Sequence, residues 1–500
     1  MQEKIWAEIQ EILSSHQIPY QWPRAVLDQE KKISFKEKEI QKRRDLRNLP
    51  FITIDGEDAK DFDDAVYCAK ENSGWSLFVA IADVSHYVTK NSAIDEEALK
   101  RGTSIYLPGR VIPMLPEKIS NNLCSLLPNK DRLAMICEMS IDENGKMAGY
   151  SFYPGVIRSQ ARLTYTQANE IITGNKIAKK KYSAFVEDIQ NLHRLYAKLK
   201  GLKDKRGAIE FNSKEIKFVF NQKEEITDIQ STERNDAHCI IEECMILANI
   251  SAASFIRNNK IPGLYRIHDL PTQEKLDELK NFLEDFGLSL RTAKKPTSKN
   301  YAKLLKKIKN EDKQSLIQII MLRSLPQAEY NSKNIGHFGL SLENYTHFTS
   351  PIRRYPDLIT HRIIKNALGK NRTRKHLYLL DDISFLGTHC SDTERKAEEA
   401  ARDIQDFFKC LYMQDKIGKT FKGVISTVTS FGIFVEIENI FVSGLVHIKQ
   451  LKKDYYHFEP DNHRLYGEHT GHIYQIGEKV KIKLAAVNIN EGKIDFHIAK

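Results

Sequence analysis

The stretch TIDGEDAKDFDDAVY at residues 53–67 sets six acidic residues among fifteen, and apolar runs close on it from both sides, LPFITI before and AVYC after. Short apolar runs of this composition read as buried strands. The acid must therefore fall in the loop that joins them, at the edge of a core. Few folds tolerate that. Asp55, Asp61, Asp63 and Asp64, packed at one strand end, would repel, raise one another's pKa values and cost stability. Gly56 gives the loop its freedom.

Divalent cations relieve such repulsion. Hard oxygen donors without His or Cys suit Mg²⁺ or Mn²⁺, and these ions activate water and neutralise charge on a phosphodiester. The plainer reading is a solvated turn whose aspartates cap the backbone, and for an isolated DxDD pattern that reading is the better one. An EF-hand is excluded by the glycine position and the ligand spacing. A helical DDxxD diphosphate site is disfavoured by the strand-rich flanks. The carboxylates alone leave the choice open.

Composition narrows the class. Five hundred residues exceed one hydrophobic core, so two to four domains are expected. The net charge of +10 permits a polyanionic partner without demonstrating one. Seven scattered cysteines form no CxxC pair, which argues against a disulfide framework or zinc site and for reduced thiols in a cytoplasmic protein. No stretch approaches the ~18 uninterrupted apolar residues of a membrane span, so no membrane is expected. At the start, Ile5, Trp6, Ile9, Ile12 and Leu13 form one helical face, not a signal peptide.

Along the chain, IPYQWPRAVL is a Pro-punctuated connector and residues 28–50 read as a charged, solvated helix. SLFVAIADVSHYV reads as strand. Helices are expected over 164–200, 237–258, 272–288, 301–324, 356–368 and 382–415. In the second of these Ile240, Ile241, Cys244, Met245 and Ala248 point inward. Character changes near Gly418. From there short strands alternate with Gly and Ser, and KVKIKL sets Val480, Ile482 and Leu484 opposite Lys479, Lys481 and Lys483. A small all-β barrel of about 80 residues fits. The fold expected is α+β followed by an all-β barrel, with the change of domain near Asp415–Lys419.

Other segments bear on the acidic loop. HFTSPIRRYPDLITHR (347–362) sets Arg353 and Arg354 in a Pro-bounded loop before a helix. Guanidinium suits bidentate grip on phosphate; a surface ion pair with Asp357 is the plainer alternative. TSIYLPGRVIPMLPEK holds Tyr106 in a loop with three prolines, where the ring would either stack on a base or anchor a core.

Taken together, LPFITIDGEDAKDFDDAVY, TSIYLPGRVIPMLPE, ARLTYTQA, RGAIEF, IIEECMILAN, HFTSPIRRYPDL and the terminal strand-rich segment resemble the ribonuclease II (RNB) family, and most closely its ribonuclease R-type branch. They span residue 45 to the end in family order. The resemblance implies an α/β catalytic domain over 47–414, after a helical and linker segment at 1–46, and an OB-fold S1 domain over 415–500. It implies a processive, hydrolytic 3′–5′ exoribonuclease that takes single-stranded RNA by its 3′ end and releases nucleoside 5′-monophosphates with Mg²⁺ or Mn²⁺. Asp55, Asp61, Asp63 and Asp64 match the metal-site carboxylates, with Asp63 and Asp64 closest to cleavage. Arg353 matches the arginine on the scissile phosphate, and Arg354 beside it is expected to contact RNA. Tyr106 and Phe211 match the aromatics that clamp the stacked 3′ end. Tyr165 and Glu242 match residues near the terminal ribose, although Glu242 would otherwise read as a mid-helix acid satisfied by a cation. Glu394 matches a further acidic site residue.

In the S1-like segment Phe431, Phe434 and His447 occupy the usual aromatic face, where they would either stack on bases or fill the barrel. The basic stretch 365–376 would meet RNA backbone or be a solvated loop. A monomer is expected, with RNA-degradation or ribosome-associated proteins as candidate partners. The branch usually carries two cold-shock barrels before the catalytic domain; about 45 residues here are too few for one, so a natural short form or a trimmed chain is expected. Two rivals remain. One is a catalytically inactive RNA-binding adaptor, which should have lost an aspartate or Arg353. The other is a metal-dependent DNA exonuclease, which should ignore the 2′-OH.

Overall fold

The structure, a computed structural model, describes residues 2–499 apart from 212–214, 223–224, 285, 291–294, 310–313, 370–375 and 460–462. The basic stretch 365–376 thus falls partly outside the described residues.

Helices α1 (Gln2–Ser15) and α2 (Arg24–Lys32) precede β1 (Arg44–Asp45), β2 (Ile52–Asp55), β3 (Asp64–Glu71) and β4 (Gly74–Ala82). Then come α3 (Val84–Tyr87), α4 (Ala93–Arg101), β5 (Ile105–Leu107), β6 (Arg110–Ile112), β7 (Asp131–Asp142), β8 (Met147–Arg158) and β9 (Ala161–Thr164). Seven of these strands form one sheet in the order β1-β8-β7-β4-β3-β2-β9. The outer pairs β1–β8 and β2–β9 are parallel and the inner ones antiparallel. Because β3 runs back along β2 and β9 runs with it, Asp55 at the end of β2, Asp64 at the start of β3 and Thr164 at the end of β9 share one end of the sheet.

Helices cover the sheet. After β9 the chain forms α5 (Tyr165–Ile172), α6 (Lys176–Lys181) and α7 (Val186–Arg206), then the hairpin β10 (Glu215–Phe220) and β11 (Ile226–Thr232), then α8 (Asp236–Asn258). Helix α8 is long and apolar enough to span a membrane by length and composition. Its most apolar stretch is nevertheless 67% buried inside the protein, where Ile240, Cys244, Ala248 and Ala252 join the core with Val66, Leu77 and Val79 of the sheet. Of the residues expected to point inward on α8, Met245 is only partly buried. Next come β12 (Tyr265–Ile267), α9 (Gln273–Glu284), α10 (Ser298–Lys307), α11 (Gln314–Arg323), β13 (Glu329–Asn331), α12 (Tyr355–Leu368) and α13 (Leu380–Gln414).

Helix α12 is anchored by charge as well as by apolar packing. Its Lys365 lies 2.8 Å from the fully buried Asp83, which Arg43 also holds at 2.7 Å. Arg362 pairs with Asp95 at 2.6 Å. These two cations hold the pKa of Asp83 far below the usual carboxylate range. A charge buried this way is kept only because both partners are present.

The C-terminal part of the fold is a closed five-stranded barrel of β14 (Thr420–Thr429), β15 (Gly432–Ile437), β16 (Ser443–His447), β20 (Lys479–Asn488) and β21 (Lys493–Ile498). Closure leaves no exposed sheet edge. A separate sheet of β17 (Tyr456–Glu459), β18 (Arg464–Gly467) and β19 (Ile473–Gln475) is inserted before β20. The barrel core is continuous with residues of α13, including Ile404, Phe408 and Met413, and with α9 and α11.

Several elements differ from the sequence reading. Residues 84–87 are a helical turn, not a continuation of strand, because Asp83 turns the chain into its buried ion pairs. The expected helix over 28–50 stops at Lys32, where Ile33 is extended. A 3₁₀ segment over Glu37–Lys42 and β1 follow. The region 301–324 is two helices, and 164–200 is three helical pieces. The Pro-rich segment around Tyr106 is a hairpin turning at Pro108–Gly109, with Gly109 at φ +73°, a conformation that suits glycine.

Candidate active site

The acidic loop is fastened at its middle. Phe62 N–H donates to Ser125 Oγ at 3.0 Å, Ser125 Oγ–H donates to Lys60 C=O at 2.7 Å, and Leu126 N–H donates to Phe62 C=O at 3.0 Å. Ala82 N–H donates to Asp63 C=O at 2.8 Å, tying the loop to β4. At its start, the Arg162 guanidinium donates to Glu57 C=O at 2.7 Å. The run is therefore a shaped loop against the sheet end and not a solvated turn.

Asp63 is buried at 4% exposure. Its Oδ1 accepts from Ile352 N–H at 2.8 Å. Its Oδ2 has no hydrogen-bond partner, while Arg353 Nε stands 3.5 Å away, within ion-pair reach but in no hydrogen bond. Burial pushes the Asp63 carboxyl well above the usual range against the pull of Arg353. Burial, then the charge of Asp55, lifts Asp64 to about 7, and burial raises Asp55 as well. Such groups ionise fully only when more positive charge arrives.

The arrangement fits a divalent cation: hard oxygen donors, upward-shifted acids and one buried carboxylate oxygen unmatched. Among the described residues no three His, Cys, Asp or Glu side chains are drawn together closely enough to enclose an ion by themselves. An ion bound here would need waters and a substrate phosphate to complete its shell.

Arg353 reaches the site from the loop before α12. Its Nη2 donates to Ser350 Oγ at 3.0 Å. Its carbonyl accepts from Ser104 N–H at 2.9 Å and Thr103 Oγ1–H at 3.1 Å. The same short segment leads into the hairpin that carries Tyr106. Gly102 begins it at φ +69°, where a Cβ would lie 2.0 Å from Thr393 Oγ1; only glycine passes here. Tyr106 is 46% exposed, and its hydroxyl donates to Asp61 Oδ2 at 2.6 Å. Asp61, Asp63, Arg353 and Tyr106 are thus brought to one place. Arg354 turns inward and pairs with the buried Asp357 at 2.8 Å, so the ion pair expected at the surface is in the interior and belongs to Arg354, not Arg353.

The other residues singled out in the sequence lie farther along the same wall or apart from it. Tyr165 opens α5, one residue past the Asp55–Thr164 pair. Its ring stacks on His238 of α8 at 3.9 Å. Glu242 is one helical turn beyond His238 on the same face and pairs with Arg234 and, at 3.6 Å, with Lys203. Glu394 on α13 accepts from Arg266 at 2.6 Å. Phe211 is half-buried beside residues outside the description, and no ring contact joins it to Tyr106 among the described residues. In the barrel, Phe431 is 48% exposed and packs edge-on to Phe434 at 6.2 Å. His447 stands on the neighbouring strand opposite Gly432. All three face outward, while Ile433, Val435 and Val446 fill the interior.

Ser350, Asp357, Arg162 and Arg266 escaped the sequence reading as site residues, Asp357 being named there only as the partner of a surface ion pair. The first two lie inside the HFTSPIRRYPDL stretch and were overshadowed by its arginines. The last two act across the fold.

Residues 43–370 match the RNB domain family and residues 414–499 the S1 RNA binding domain family. The chain is 48% identical to ribonuclease R of Vibrio cholerae over 505 aligned residues, covering 99% of this chain and 62% of the relative's length. Its backbone matches the apo form of Mycoplasma genitalium RNase R with a TM-score of 0.94 at 32% identity, over 99% of this chain and 78% of the other. The match to the same Mycoplasma protein in complex with ribose-methylated single-stranded RNA has a TM-score of 0.93, with the same identity and coverage.

Proposed function

Because this chain belongs to the RNB family, we propose that it is a processive 3′–5′ exoribonuclease that hydrolyses single-stranded RNA to nucleoside 5′-monophosphates with the help of Mg²⁺. The observation that carries this reading is Asp63 Oδ2, a buried carboxylate oxygen without a hydrogen-bond partner, facing Arg353 at the floor of an acidic loop. A buried oxygen left without a hydrogen bond, with only the Arg353 guanidinium at ion-pair distance, leaves room for a further cationic ligand.

The cation would sit among Asp55, Asp61, Asp63 and Asp64, bound directly by one or two of them, with waters and RNA phosphate completing its shell. When bound it supplies charge neutralisation and a more acidic water. The chain's own residues supply the rest. Tyr106 stacks on a base near the 3′ end and aligns the backbone. Arg353 meets the scissile phosphate and stabilises charge gathering on its non-bridging oxygens. The attacking water's oxygen bonds to phosphorus, and its proton is taken by a site carboxylate. The bond from phosphorus to the upstream 3′ oxygen breaks and that oxygen takes up a proton from solvent, leaving a new 3′-OH on the RNA and a 5′-phosphate on the released nucleotide. Stacking is indifferent to sequence, which suits a processive degrader. Tyr165 and Glu242, on the wall beyond Asp55, would meet the terminal ribose, where the 2′-OH distinguishes RNA from DNA. The free cysteines, six of them buried, suit a reducing cytoplasm.

The test is one gel. RNA labelled at its 5′ end, given Mg²⁺, should shorten stepwise from the 3′ end, and a matched DNA oligomer should stay intact. Binding without shortening would support an inactive adaptor, and equal loss of both oligomers a DNA exonuclease.

The outward barrel face yields a prediction of its own. Lys479, Lys481 and Lys483 are exposed on β20, and each phosphate contact on a single strand adds about 0.7 to the slope of log affinity against log salt. Replacing all three by Ala should flatten that slope by up to about 2. Phe431→Ala should instead lower affinity by roughly 1 kcal/mol with the slope unchanged. Fluorescence titrations at several salt concentrations separate the two, and unaltered titrations for both variants would remove this face from the RNA path.

A further inference from the structure

The loop that delivers Arg353 is held by a residue that never reaches the reacting atoms. Asp357, the third residue of α12, is fully buried. Its Oδ1 accepts from Ser350 N–H at 2.8 Å and from Arg354 Nη2 at 2.8 Å. Ser350 in turn accepts from Arg353 Nη2 through its Oγ at 3.0 Å, and Arg353 and Arg354 N–H both donate to the Ser350 carbonyl, at 3.3 and 2.9 Å. Two residues after Ser350, Ile352 N–H donates to Asp63 Oδ1 at 2.8 Å. One carboxylate thus fixes the backbone and, through Ser350, the side chain of the residue that faces Asp63.

We propose that Asp357 and Ser350 are positioning residues for the hydrolysis. Asp357 clamps the 350–354 turn at the start of α12, and Ser350 Oγ holds the Arg353 guanidinium at the angle that meets the scissile phosphate. This rests on the exoribonuclease reading above. Arg354 is the second arm of the clamp: its charge is spent on Asp357, and so RNA contact falls to Arg353 alone. The geometry favours this over a merely structural buried pair, because a pair that served stability alone would not need Ser350 Oγ as a link to the exposed side of the turn.

A double-mutant cycle tests it. Ser350→Ala removes only the Oγ link, and Asp357→Asn weakens the clamp while keeping its shape. Each is made in the wild-type chain and in an Arg353→Lys background, where no Nη2 exists to be held. Single-turnover rates on a short RNA are measured with KM and melting temperature. Misplacement of a catalytic group from outside the chemistry can cost up to ~10²-fold. On that scale Ser350→Ala should lower kcat about tenfold and Asp357→Asn tenfold or more, with KM within about threefold. In the Arg353→Lys background Ser350→Ala should be nearly silent, and Asp357→Asn should cost clearly less than in the wild-type chain, keeping only its effect through the Ile352 N–H to Asp63 contact.

Equal losses in both backgrounds would overturn the proposal, since a general loss of stability does not depend on which side chain stands at 353. So would a lowered melting temperature with kcat unchanged. Should Asp357→Asn fail to fold, Ser350→Ala decides alone. If the wild-type chain leaves RNA intact, the hydrolase reading fails and this inference with it. If Arg353→Lys retains full turnover, the role of Arg353 fails, and the inference falls while the hydrolase reading stands.

Discussion

Asp63→Asn is expected to lower turnover by at least ~10²–10³-fold, the range seen when one group that stabilises developing charge is removed, while RNA affinity is nearly unchanged. The substitution keeps the contact from Ile352 N–H, because the amide oxygen can still accept, so the loop should hold its shape. What goes is the negative charge at Asp63 Oδ2, a buried oxygen without a hydrogen-bond partner. An amide there offers a cation a poorer donor. Arg353 loses its counter-charge, which shifts the guanidinium from where a phosphate would find it. RNA affinity should survive because Tyr106 and the barrel's outward aromatics and lysines are untouched. Binding measured in EDTA, beside multiple-turnover rates in Mg²⁺, checks both halves. Affinity that falls in step with rate would defeat the separation of grip from chemistry, and full activity of the wild-type chain in EDTA would remove the metal site altogether.

That much of the site was legible because it is local. The four aspartates lie within ten residues of one another, and two adjacent strand ends suffice to gather them. Arg353 and Tyr106 could be named one at a time, but only the fold reveals that the stretch 102–104 receives the Arg353 carbonyl and then runs into the Tyr106 hairpin. Arg162 and Arg266 work across more than a hundred residues, and their partners are a loop carbonyl and a helix acid that no spacing rule connects. Strand limits were misjudged where charge overrode pattern. SLFVAIADVSHYV keeps its apolar alternation past Ala82, yet Asp83 needs Arg43 and Lys365, and meeting them turns the chain into α3. Arg354 shows the reverse case, a guanidinium that sequence sets beside Arg353 but the fold commits to Asp357. The barrel was legible as a class, since alternation along KVKIKL fixes an inner and an outer face. Its inserted sheet of β17, β18 and β19 was not, because those strands are only three or four residues long.

Tyr106 and Tyr165 should affect different properties of the reaction. Tyr106 has nearly half its surface exposed beside Asp61, so its ring is available to a base at little cost in folding. Tyr106→Ala should weaken RNA binding by ~1–3 kcal/mol, the usual worth of one base–aromatic stack, up to about a hundredfold in affinity. Tyr106→Phe, which keeps the ring and loses only the hydroxyl bond to Asp61, should recover most of it. Tyr165 lies deeper, one residue past the partner of Asp55, with its ring already stacked on His238. An RNA drawn into the site keeps its grip only while enough bases remain to stack, so degradation should run quickly and then stall at a short oligomer. On the proposed reading Tyr165 would border the innermost ribose. Tyr165→Ala should therefore change the length of that last product while leaving the early rate almost intact. If the tyrosines were packing residues only, both alanine variants would melt at lower temperature and end on the wild-type product. The exposure of Tyr106 predicts the opposite for it: an unmoved melting temperature with a large loss of affinity. Melting curves and end-product lengths on the same two variants separate the accounts, and an unchanged product length for Tyr165→Ala beside a large fall in its melting temperature would reduce that residue to packing.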